Sequence, residues 1–94
     1  MKAGKLGVLI REAREEKGLT QAEVARFLGF QNSQFVYMIE ANVSKAPLDV
    51  LGKLIVLLGL DEATVMDLLV ADYQNRATRE VAEGKKSARK LKTR

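Results

Sequence analysis

GLTQAEVARFLGFQNSQFVYMIEANVSKAP, residues 18–47, decides the fold of this chain. Thr20 and Glu23 form a T-x-x-E capping box, in which hydroxyl and carboxylate each accept an amide that a first helical turn leaves unpaired. Leu19, just before the cap, can staple onto Val24. Val24, Phe27 and Leu28 make the inward set, and Ala25 is small enough for a second helix to come close. Gly29 ends this helix. Phe30-Gln31-Asn32 forms a turn, and Asn32 or Ser33 caps a helix reaching Glu40. Val36 and Ile39 point inward there, with Phe35 or Met38 at the margin. Pro47 opens a further helix, where its missing N–H costs nothing. The stretch predicts two short helices set at an angle by a tight turn.

The flanks supply the covering layer. Leu6, Leu9, Ile10 and Ala13 fall on one face of a helix from Lys5 to Lys17, which Gly18 stops. Val50, Leu51, Leu54, Ile55, Leu57 and Leu58 make the helix after Pro47 the most buried, and Gly59 ends it. Asp61 caps a fifth helix, with Leu60 stapled to Val65 and a stripe of Val65, Met66, Leu69, Val70, Tyr73 and Ala77. Past Arg76 the pattern fades, and Gly84 to Arg94 reads as a mobile basic tail. The expected architecture is therefore all-α and five-helical, with the helix-turn-helix formed by helices 2 and 3. Residues 1–75 form the domain, and residues 76–94 form a basic extension, partly helical and then disordered.

Composition narrows the function. The 94 residues hold no Cys and no His, which removes disulfides, thiolate or imidazole metal sites and histidine base chemistry. No Gly-rich phosphate loop is present, so neither an enzyme nor a cofactor is expected. The N-terminus turns charged too soon for a signal peptide and no long apolar run exists, so the chain reads as cytoplasmic, with no membrane partner. The net charge of +4 is unevenly spread: residues 1–74 carry eight basic and ten acidic side chains, residues 75–94 eight and two. A tail of that sign suits a polyanion such as DNA, with Arg76, Arg79, Lys85, Lys86, Arg89 and Lys90 as its contacts; lysine-rich tails also serve solubility.

The spaced set GLTQxxVAxxLG, then Val36, Ile39-Glu40, Pro47, Leu51 and Leu57-Leu58-Gly59, resembles the Cro/repressor-type helix-turn-helix domains across Leu9–Leu60. The resemblance implies a lambda-repressor-like bundle that binds double-stranded DNA sequence-specifically, as a homodimer on a near-palindromic operator and most often as a repressor. It also implies a phosphate contact from Gln21 and a structural pair between Arg14 and Glu40. Two departures stand out. Gly29 to Glu40 spans eleven positions, one more than the usual spacing, as in a sub-group with a GFQNSQFV-like turn. Ala41-Asn42 replaces a glycine after the glutamate, and Asn42 can take the left-handed conformation instead.

The middle helix carries no Arg or Lys between Phe30 and Ala41, so base readout falls to Gln34, Asn32, Ser33, Tyr37 and Gln31. A side-chain amide offers a donor and an acceptor, which match adenine N6 and N7. Helix capping is the competing role for Asn32 and Ser33, and burial for Tyr37. Lys17, Lys45, Lys53 and Arg14 are candidate phosphate contacts beside Gln21. Met66, Val70 and Tyr73 could form a dimer seam or close the core. An antitoxin or protein-interaction module, with the tail holding a protein partner, is the alternative function.

Overall fold

The computed structural model describes residues 5–92, so Met1–Gly4, and Thr93 and Arg94 of the basic tail, lie outside it. Five helices follow in order: α1 (Lys5–Glu16), α2 (Gln21–Leu28), α3 (Gln34–Glu40), α4 (Leu48–Leu58) and α5 (Glu62–Lys92). No strand occurs among the described residues. The expected all-helical bundle is what forms. α1 is the hub and packs on α3, α4 and α5, while α2 packs on α3.

One core runs through all five helices: Leu6 and Ile10 of α1, Val24, Ala25 and Leu28 of α2, Val36 and Ile39 of α3, Val50, Leu51, Leu54 and Leu58 of α4, and Val65 of α5. Ile10, Leu54, Val24 and Val65 are the largest fully buried side chains. Each such burial stabilises by about 1.5–3 kcal/mol before chain entropy is subtracted. Phe27 departs from the expected inward set and is 67% exposed. At an eight-residue helix packed mainly on α3, the stripe Val24, Ala25 and Leu28 already fills the buried face, and Phe27 falls outside it.

The predicted ends are present. Thr20 Oγ1 accepts from the Glu23 amide at 3.0 Å, and Glu23 Oε1 accepts from the Thr20 amide at 2.8 Å. Gly29 closes α2 with φ +88°, a value costly for any residue with a Cβ, and the Phe30 amide reaches back to the Ala25 carbonyl at 2.9 Å. Asn42 takes φ +62°, the left-handed role anticipated for it.

The C-terminal segment differs from expectation. α5 runs unbroken for 31 residues, through Gly84 to Lys92, instead of giving way to a coil. One glycine costs about 1 kcal/mol in a helix, and the surrounding Ala, Arg, Glu and Lys favour helix. The extension adds to an existing helix and so avoids the nucleation cost. From Thr78 to Leu91 every residue is exposed, and the molecule measures 57 × 28 × 23 Å.

Candidate nucleic-acid interface

A single carboxylate fixes the angle between the first three helices. Arg14 on α1 donates to Glu40 on α3 through Nε at 2.7 Å and Nη2 at 3.1 Å, while its Nη1 donates to the Leu19 carbonyl at 2.8 Å. Gln21 on α2 donates from Nε2 to Glu40 Oε1 at 2.9 Å. Arg14 and Glu40 are only 9% and 5% exposed. The hydrogen bond to Glu40, ahead of the charge attraction, raises the Arg14 pKa above its already high ordinary value, so the cation persists at every working pH. Arg14 is therefore corrected as a phosphate candidate: its fork is spent inside the bundle.

α1 and α3 also touch backbone to backbone. A Cβ placed on Gly7 would sit 2.5 Å from the Glu40 carbonyl oxygen and 2.8 Å from that of Ile39. Only a glycine permits this approach, and no periodic signal marks it, because the contact is made by backbone and not by a side chain of the apolar stripe.

With its inner face held in this way, α3 turns its other side to solvent. Gln31, Asn32, Gln34 and Tyr37 are exposed, Tyr37 at 55%, and Ser33 is half-buried. Phe30 and Phe35 meet edge-on, centroids 4.8 Å apart at 71°, and brace the longer turn from behind. Residue-by-residue turn signals do not reveal this pair, because the contact forms across the turn once α2 and α3 are in place. Asn32 Oδ1 accepts from the Gln34 amide at 2.9 Å, whereas Ser33 at the helix boundary makes no side-chain cap. One lone pair of Asn32 Oδ1 is thus engaged at the start of α3, which holds the side chain in place. Gln34 Nε2 makes only a weak contact to Met38 Sδ at 3.8 Å, so both ends of this amide are available.

The candidate cations scatter. Lys45 is exposed in the loop after α3. Lys17 reaches the C-terminal end of α4, its Nζ 4.0 Å from where a Gly59 Cβ would be, and there it faces the negative end of a helix dipole. Lys53 lines a shallow groove between α2 and α4 with Phe27, Leu28, Asp49, Gly52, Val56 and Leu57, a groove no α3 residue lines. Arg76 is drawn to its own helix, 5.3 Å over the Tyr73 ring and 3.9 Å from Glu80. Arg79, Lys85, Lys86, Arg89 and Lys90 project from exposed helix. Met66, Val70 and Tyr73 are 46%, 59% and 62% exposed, so they do not close the core.

Two helices locked at a fixed angle, the second bare of cations but rich in outward amides, form a surface that can enter a DNA major groove. Comparison with known families supports that assignment: residues 10–65 match the model of the helix-turn-helix family. Comparison with curated proteins and with solved structures found no match. No helix among the described residues is long and apolar enough to cross a membrane.

Proposed function

We propose that this chain, which belongs to the Cro/repressor-type helix-turn-helix family of DNA-binding regulators, is a sequence-specific repressor. It acts as a homodimer on a near-palindromic site in cytoplasmic double-stranded DNA. The observation that carries the reading is the contrast between the two sides of α3: Glu40 and Ile39 fixed to α1, Gln34 and Tyr37 bare to solvent. Gln34 reads a base, with adenine the best match to its amide. Asn32 donates from its free nitrogen, and Gln31, Ser33 and Tyr37 complete the contact. Gln21, Lys45 and the outward cations of α5 hold phosphates; Lys17 and Lys53 contribute less, being placed at the end of α4 and in the groove beside Phe27. A module of this size seated in the groove occludes its site, which is the basis for repression.

Selection from a pool of randomised duplexes tests the reading. Recovery of one near-palindromic site with A·T pairs at symmetric positions supports it; recovery of unrelated sequences refutes it. The exposed basic helix after Thr78 favours a second reading, an antitoxin or protein-interaction module. That reading predicts a neighbouring reading frame for a small toxin, which is what separates it from the first.

A further inference from the structure

The exposed part of α5 carries a pattern that the bundle does not use. On a helical projection, Met66, Val70, Tyr73 and Ala77 fall on one line, about 120° from the side on which Val65 packs. The line continues beyond the globule through Val81, Gly84, Ala88 and Leu91, and Val81 and Leu91 are 62% and 71% exposed. Its spacing is symmetric about Ala77, with steps of four, three and four residues on either side.

We infer that α5 pairs antiparallel with α5 of a second copy, the two-fold axis passing beside Ala77. This inference rests on the homodimer reading and adds its surface, direction and register. With Ala77 against the partner's Ala77, Met66 meets the partner's Ala88 and Val70 meets the partner's Gly84. Tyr73 then meets the partner's Val81, and Leu91 meets the partner's Ala63. Large side chains face small ones along most of the contact, which is how facing helices interdigitate. Gly84 gains a purpose. It lies inside a helix, and a Cβ there would meet nothing within 4 Å of its own chain, so the fold itself does not require glycine. Val70 of a partner does.

Charge selects the direction. Residues 62–75 carry Glu62, Asp67 and Asp72 and no cation, whereas residues 76–92 carry seven cations and two carboxylates. Parallel pairing sets like on like along the whole contact. Antiparallel pairing sets the acidic half against the basic half twice. Asp67 and Lys85 lie on the same flank of the apolar line, which in an antiparallel pair brings Asp67 beside the partner's Lys85. Arg79, Lys86, Arg89 and Lys90 project from the opposite face of the helix, so they stay outward for phosphates.

The chain has no Cys, so single cysteines report the geometry directly. Val70→Cys and Gly84→Cys chains are mixed under mild oxidation, and the products are weighed by mass spectrometry beside sedimentation of the unaltered protein. A mixed V70C–G84C disulfide as the main product is the expected result. A disulfide between two V70C chains overturns the direction. A dimer with neither cross-link overturns the surface but leaves the homodimer reading standing. A monomer at tens of micromolar overturns both. In support, Gly84→Leu weakens self-association by about tenfold or more while helical circular dichroism holds or rises. Unchanged association of that variant would contradict the close contact at Gly84.

Discussion

Arg14 grips Glu40 with two parallel N–H donors, Nε at 2.7 Å and Nη2 at 3.1 Å, across 26 residues of chain. The contact ties α1 to α3, and Gln21 adds α2 through the same carboxylate. Removing one partner leaves a buried charge without its counterion. Arg14→Ala or Glu40→Ala should each destabilise the bundle by about 3–5 kcal/mol, read as a lower urea midpoint. Arg14→Lys should recover little, because an ammonium lacks the planar fork. The pair Arg14→Met with Glu40→Leu should fall well short of the sum of the single losses.

Two glycines with opposite surroundings make a matched test of packing. Gly7→Ala drives a Cβ to within 2.5 Å of a backbone oxygen that cannot rotate away. The variant should lose about 1–3 kcal/mol and loosen α1 from α3. Gly52→Ala, inside α4 with nothing within 4 Å, should instead gain roughly 0.5–1 kcal/mol from helix propensity. Thermal melts of both variants check the signs.

Asp61 predicts a pH dependence. The Thr64 hydroxyl at 2.7 Å, and then its amide at 3.0 Å, hold the carboxyl below its ordinary value. A depressed folded-state pKa contributes stability that is present above the unfolded pKa and lost as pH falls through the folded one. The stability gap between the unaltered protein and Asp61→Asn should therefore be constant near neutrality and shrink below about pH 4. Urea titrations at matched ionic strength measure it; a gap that widens in acid would contradict the assignment.

Lys45 should act on affinity without preference. Lys45→Ala should weaken binding to matched and scrambled duplexes alike and lower the log–log salt slope by about 0.9 for each protomer bound. Fluorescence anisotropy across a salt series reads both effects.

Much of this was legible in the sequence because its signals are local. The Thr20–Glu23 box, the glycine at the end of α2 and the left-handed Asn42 each depend on neighbours a few residues away. The core stripes were legible for the same reason, apart from Phe27 and the α5 stripe, in which Val65 is buried but Met66, Val70 and Tyr73 are exposed. Arg14 could be placed inward only through the family resemblance, since its partner lies in another helix. The Phe30–Phe35 contact and the Gly7 approach depend on the fold already being in place. The extent of α5 is not legible from a core-facing stripe, because the residues from Thr78 to Leu91 are all exposed and the helix continues by propensity from the turns before it. At the interface the residue types were legible, but which amide was tied to the backbone was not: Asn32 Oδ1 accepts from the Gln34 amide.

The central claim is that α3 reads bases through Gln34, and one comparison tests it most directly. The unaltered protein and Gln34→Ala are titrated against the chain's own upstream duplex and a scrambled duplex, at two salt concentrations. The account predicts that the unaltered protein prefers its own duplex at both salts. Gln34→Ala should lose about 1–3 kcal/mol of that preference for each half-site contacted while its affinity for scrambled DNA and its salt slope stay unchanged. Equal and steeply salt-dependent binding of the unaltered protein to both duplexes would contradict it, leaving the basic face of α5 as the only part engaged with DNA.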